Sequence, residues 1–182
     1  MSHPKKPKLV QPILSILSSR WNEFWPSILE ELKTVFGEAE FISEEIEFKE
    51  THYYDEELGT PIKRRILSFS KLISPEELVE LKLFTYQLEQ KYLRDNKRLF
   101  NLDPGILSYE RLVLATFKEF THRIYLRDGV WADLTLIFKN KKWMSLPWTY
   151  PDYKGETIQK ILYEIRKRYK KKMADKYELV QG

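Results

Sequence analysis

Acid, base and aromatic side chains crowd the stretch from Arg98 to Tyr153. Three runs carry them: Asn101-Leu102-Asp103-Pro104-Gly105, His122-Arg123-Ile124-Tyr125-Leu126 and Trp148-Thr149-Tyr150-Pro151-Asp152-Tyr153. A histidine beside a carboxylate can move protons or help hold a metal. The sequence offers one such pair. Asp128-Gly129 reads as a two-residue hairpin turn. Folding the chain there pairs Arg127 with Val130, Leu126 with Trp131, Ile124 with Asp133 and His122 with Thr135. Opposed residues share a face, so His122, Asp133 and Thr135 gather on one side, and Arg123 and Tyr125 point to the other. Asp133 interrupts the apolar run Ala132 to Leu136, so its carboxylate needs water or a partner. His122 as a general base oriented by Asp133 is the catalytic reading. A metal contact and a structural hydrogen bond remain open beside it.

Other residues suit recognition of a small anion such as a nucleotide or phosphorylated metabolite. Arg65, Lys118 and Arg123 supply charge, Tyr53 and Tyr150 supply packing, and Asp103 supplies a polar contact. Of Arg64 and Arg65 on one strand, one must face inward, and Glu57 is a candidate partner. Asp103-Pro104-Gly105 has the composition of a turn, with Asn101 and Asp103 leaving a strand end toward the site. Tyr150-Pro151 is a candidate cis peptide. The basic run Arg166 to Lys172, with Lys5, Lys6 and Lys8, offers a different partner, RNA. A third reading is a structural or interaction protein whose motif residues only build the fold. Glu45-Ile46-Glu47-Phe48-Lys49 matches the acid-acid-lysine alternation of triphosphate tunnel enzymes for five residues only, and reads as a solvated strand face. No Gly-x-x-x-x-Gly-Lys phosphate loop occurs.

The elements that must position these groups follow from periodicity. Leu9–Ser18 reads as a strand, with Pro12 implying an edge or a late start. A helix with Trp21, Trp25, Ile28, Leu29, Leu32 and Val35 inward starts at Asn22 and ends at Gly37. Glu40–Glu50 and Ile62–Ile73 read as strands. Ser74-Pro75-Glu76-Glu77 caps a helix with Leu78, Leu81, Thr85, Leu88 and Tyr92 inward. Arg98–Leu102 is a short fourth strand. The order strand-helix-strand-strand-helix-strand implies an α+β fold with a ferredoxin-like βαββαβ core. An antiparallel meander of Leu112–Lys118, His122–Leu126 and Val130–Lys139 extends it, and a helix over Glu156–Lys172 closes it. Residues 1–8 read as a flexible tail, 9–172 as one domain and 173–182 as a C-terminal tail.

The 182 residues suffice for one core without staples, with 42% hydrophobic residues and no cysteine. Disulfides, thiol catalysis and cysteine-held zinc are excluded. No apolar run has the length of a membrane span. The N-terminus lacks the pattern of a signal peptide, so a cytoplasmic location is expected. Lys and Arg number 31 against 27 Asp and Glu, a small excess that points weakly to nucleic acid.

The three runs, with Thr51-His52-Tyr53-Tyr54 and Glu57-Leu58-Gly59, resemble a bacterial family, domain of unknown function 4416. Its motifs are Thr-x-Tyr-Tyr followed by Glu-Met-Gly, then Asn-Leu-Asp-Pro-Gly, His-Arg-Ile-Tyr-Leu and Trp-Thr-Tyr-Pro-Asp-Tyr. The resemblance spans residues 9 to 170. Leu58 departs from the family's Met, and Asp133 stands where a Glu is expected. Some members carry a GTP-binding label, which no phosphate loop here supports. The family has no established activity, so the resemblance implies no cofactor and no reaction.

Overall fold

A computed structural model describes residues 2–181. Among the described residues, nine strands form one antiparallel sheet in the order β2-β4-β1-β5-β6-β8-β7, with β3 beside β4 and β9 beside β8. The chain runs β1 (Gln11–Ser18), α1 (Ile28–Phe36), β2 (Ala39–Ile42), β3 (Ile46–Glu47), α2 (Asp55–Leu58), β4 (Lys63–Phe69), α3 (Leu78–Lys91), β5 (Asn101–Leu107), β6 (Arg111–Thr116), β7 (Arg123–Arg127), β8 (Val130–Lys139), β9 (Lys142–Ser145), α4 (Pro151–Lys154) and α5 (Glu156–Gln181). The expected alternation of strands and helices is there, with additions. No helix of the described residues is long and apolar enough to cross a membrane.

β1 lies in the middle of the sheet, and all eight of its residues are buried. Leu14 and Ile16 face one apolar layer, and Ile13 faces the other. Such strict alternation is what a strand covered on both faces needs. Pro12 therefore does not mark an edge. It takes the second position of a central strand, which starts at Gln11 rather than Leu9. α1 and α3 cover the first layer through Ile28, Leu32, Phe36, Leu81 and Leu88. α5 covers the second through Ile158, Leu162, Ile165 and Tyr169. It continues past Lys172 to Gln181 because Met173 still docks, 1% exposed.

Several local expectations give way to tertiary constraints. α1 starts at Ile28, preceded by a 3-10 turn over Trp21–Glu23, so Pro26 lies ahead of the helix rather than in its first turn. The second strand is broken into β2 and β3 by Ser43, whose hydroxyl accepts the Ile66 N–H at 2.9 Å. The cis X-Pro bonds are at Trp25–Pro26 and Thr60–Pro61. Tyr150–Pro151 is not among them; Pro151 instead opens α4, where its missing N–H costs nothing. The Ser74 signal holds: its N–H donates to the Glu77 carboxylate at 2.7 Å, in a 3-10 turn leading into α3.

The meander is replaced by another order. β8 lies between β6 and β7, leaving β7 outermost. β8 is the longest of the three and has apolar residues for both neighbours, whereas β7 is mostly exposed.

Candidate functional site

The site begins with a fork in the sheet. β5 and β6 pair only from Leu107↔Leu112 to Gly105↔Leu114. Beyond that rung β5 goes on pairing with β1 as far as Asn101, and β6 goes on pairing with β8 as far as Thr116. Asp103-Pro104-Gly105 is thus not a turn but the crotch of this fork, inside β5. Gly105 permits the last rung: a Cβ there would lie 2.7 Å from Leu114 Cδ2 and 2.8 Å from the Val113 carbonyl. Pro104 has no N–H with which to make another. Two residues back, the Leu102 N–H donates to Glu89 Oε1 at 2.6 Å, so a carboxylate stands where β6 would have been.

The parted strands bound a cleft of about 820 Å³. α3 supplies its floor. Lys82 and Glu89 are seven residues apart, two helical turns, and so share a face; they are 8% and 6% exposed. Asn101 and Asp103, two apart on β5, also face the cleft. A chain of polar contacts joins them. Arg98 grips Glu57 through Nε–Oε1 at 2.6 Å and Nη2–Oε2 at 2.7 Å. Its Nη1 donates to Asn101 Oδ1 at 2.6 Å, and Asn101 Nδ2 donates to Asp103 Oδ2 at 2.5 Å.

One wall comes from β4 and α4. Arg64, 4% exposed, pairs with Asp152 at 2.6 Å. Its guanidinium stands 4.9 Å from the Phe48 ring centre and 5.3 Å from that of Tyr153. Burial pushes the Tyr153 and Tyr54 phenols well above their usual range, so both stay neutral. The opposite wall comes from β6, β7 and β8. Arg123 Nε donates to Asp133 Oδ2 at 2.9 Å, and Nη2 to the Tyr150 hydroxyl at 2.9 Å. At the mouth, Lys118 Nζ donates to the Tyr53 hydroxyl at 3.0 Å. That hydrogen bond holds the Tyr53 phenol below its usual range. Tyr86 and Phe117 meet edge to face on the same rim, ring centres 5.4 Å apart.

The lining holds six carboxylates against five cationic side chains, and most are paired. Arg64, Arg98 and Arg123 each have a carboxylate at hydrogen-bond distance. Lys82 does not. Its Nζ is 3.6 Å from Asp103 Oδ1, and among the described residues none of its N–H groups has an acceptor in hydrogen-bond range. Glu89 is its other charged neighbour. Burial raises the Glu89 carboxyl to about 7, against the pull of Lys82, the Leu102 N–H and Arg98. Among the described residues no three His, Cys, Asp or Glu side chains cluster to hold a metal ion.

The family model for a domain of unknown function (DUF4416) matches residues 8–169. The chain belongs to this family. The DUF4416 match takes in every residue lining the cleft, from Leu17 to Tyr153. No curated protein and no solved structure matches the chain.

Of the residues singled out in this DUF4416 sequence, Tyr53, Asp103, Lys118, Arg123, Asp133 and Tyr150 all line the cleft. His122 does not. It bonds Asp133 Oδ2 through Nε2 at 3.0 Å from behind, stacked on Trp148 with ring centres 5.0 Å apart. It borders a separate apolar hollow of about 560 Å³ with Phe120 and Ile124. The hairpin register also differs by one. Arg127↔Val130 holds, but Tyr125 pairs with Trp131 and Arg123 with Asp133, so Leu126 is bulged out. Arg123 thereby joins the Asp133 face. His122 precedes the strand and still reaches the same carboxylate.

Arg65 stands away from the cleft. It donates to the Ser43 carbonyl at 2.8 Å, pairs with Glu45 at 3.3 Å and lies over Trp21 and Trp25. The inward arginine is Arg64, and Glu57 serves Arg98 instead. Glu45 and Glu47 are likewise spent on Lys63 and Lys49. The basic run of α5 is partly consumed: Arg166 bonds the Tyr109 carbonyl at 2.9 Å, Lys167 pairs with Glu164 at 3.1 Å and Lys172 with Glu40 at 2.6 Å. Lys82, Glu89 and Arg98 were not singled out as site residues. Their signal was there: Lys82 and Glu89 are charges flush with the inward stripe of α3, where a purely structural helix would place apolar groups.

Proposed function

We propose that the cleft binds a small ligand bearing an anionic group, a nucleotide or phosphorylated metabolite, in a cytosolic protein. One observation carries this reading: the Lys82 side chain, 8% exposed, ends on the floor of a large cleft with its ammonium 3.6 Å from Asp103, 5.2 Å from the Phe117 ring centre and in no hydrogen bond among the described residues. An ammonium so placed keeps N–H donors free for a ligand oxygen. Lys118 and Arg123 offer further donors nearer the mouth. Tyr53, Tyr86, Phe117 and Tyr150 make a rim suited to stacking a flat group. His122 and Asp133 act as positioning residues that hold Arg123 in place. The paired state of Arg166, Lys167 and Lys172 lowers the support for an RNA partner.

The test is calorimetric titration with a panel of nucleotides and sugar phosphates. At least one is expected to bind, and Lys82→Met to weaken it tenfold or more while thermal unfolding stays cooperative. Binding by none of the panel, or equal binding by Lys82→Met, would sink the reading.

A further inference from the structure

The floor around Lys82 poses an electrostatic problem for any anion. Asp103 Oδ1 stands 3.6 Å from its Nζ, and Glu89 lies on the same helical face. Arg98 does not correct the balance, because Glu57 already neutralises it. With both neighbouring carboxylates ionised, an anion approaching Lys82 meets more negative than positive charge at close range and low dielectric. Glu89 has the geometry to remove that obstacle. Its Oε1 is fixed by the Leu102 N–H at 2.6 Å and lies 3.5 Å from Arg98 Nη1. Its Oε2 meets no donor among the described residues, although the side chain borders the cleft.

We propose that Glu89 is a proton-coupled gate for the anion site, so that an anion enters beside Lys82 together with one proton, taken up on Glu89 Oε2. This rests on the reading of the cleft as an anion site. The added proton cancels one negative charge and turns Oε2 from an acceptor into an O–H donor aimed at the ligand. No covalent bond to the ligand forms or breaks. The charged groups facing Glu89 are Lys82 on its own helix, Arg98 and Asp103 beneath it, and Glu57 of α2 through Arg98. Burial already brings the carboxyl to about 7, so the uptake falls within the ordinary working range of pH.

Sulfate is the probe, because it does not itself titrate between pH 6 and 8. Calorimetry in buffers of different ionisation enthalpy counts the protons taken up. Wild-type protein is expected to take up close to one proton at pH 8 and little at pH 6, where Glu89 already holds it, and to lose about tenfold in sulfate affinity from pH 6 to pH 8. Glu89→Gln, a neutral isostere, is expected to bind with no uptake and no pH dependence. Carbon NMR of the Glu89 carboxyl in wild-type protein gives a readout independent of the variant; its titration is expected to move upward when sulfate is added. Sulfate binding that needs Lys82 but brings no proton at pH 8 would overturn the gate and leave the anion site standing. No sulfate binding at pH 6, or binding unchanged in Lys82→Met, would overturn the anion site with it.

Discussion

Glu89 bears on stability as well as on binding. Its folded value of about 7 lies above the ordinary 4.5. Between those values the native state keeps a proton that the unfolded chain releases, so stability falls as pH climbs from about 4.5 to about 7 and levels off above. The contribution is on the order of 3 kcal/mol. Urea unfolding of Glu89→Gln is expected to show a flatter profile, with its largest gain over wild type at pH 8. Arg64 gives the opposite kind of residue, a buried charge that depends on its partner. Asp152→Ala would strand the guanidinium and cost about 3–5 kcal/mol, read from the urea midpoint. Sequence alternation already required one inward arginine at this place. It could not choose between Arg64 and Arg65, because parity says nothing of which face of β4 the cleft adjoins. Lys118, Arg123 and Tyr150 were legible as polar groups flanking strands, and the fold gathers them along one cleft. Lys82 and Glu89 left a fainter trace, two charges beside a helix stripe that otherwise packs.

At the scale of elements, the fork between β5 and β6 rests on one rung. Gly105→Ala puts a methyl against the Val113 carbonyl at 2.8 Å, and a ladder carbonyl cannot move aside cheaply. The expected cost is about 1–3 kcal/mol in urea unfolding, together with shifted amide resonances at Val113 and Leu114. Asp-Pro-Gly reads locally as a turn because its residues suit one. β1 overrides that preference by pairing with β5 from Asn101 to Leu107. The hairpin shows the converse. Asp128 and Gly129 both take positive φ, 53° and 76°, so the turn chemistry was readable. The bulge at Leu126 was not, since nothing in Tyr125-Leu126-Arg127 marks one of three residues for ejection. Helices with a clear apolar stripe, α3 and α5, were found within a few residues of their starts for the same reason that strongly periodic segments always are.

At the scale of the whole molecule, the sheet is unequal across its width. β1 is covered on both faces and paired on both sides, whereas β7 pairs only with β8 and is mostly exposed. Native-state hydrogen exchange should therefore find β1 amides opening only with global unfolding, and β7 amides exchanging by local opening at far lower free energy. Equal protection of the two strands would contradict this. β7 also ends the sheet with Ile124, Tyr125 and Leu126 at 70%, 53% and 38% exposure. A row of unpaired backbone groups beside apolar side chains invites another chain to add itself. Arg127 closes that row with a half-exposed side chain, and a charge so placed is a sentinel against self-association. Arg123 does not share that duty, because its side chain is 7% exposed and bound to Asp133 in the cleft wall. A variant that neutralises Arg127 would be expected to precipitate more readily, and turbidity would then report the unguarded strand rather than any change in what the cleft holds, since Arg127 lies outside its lining.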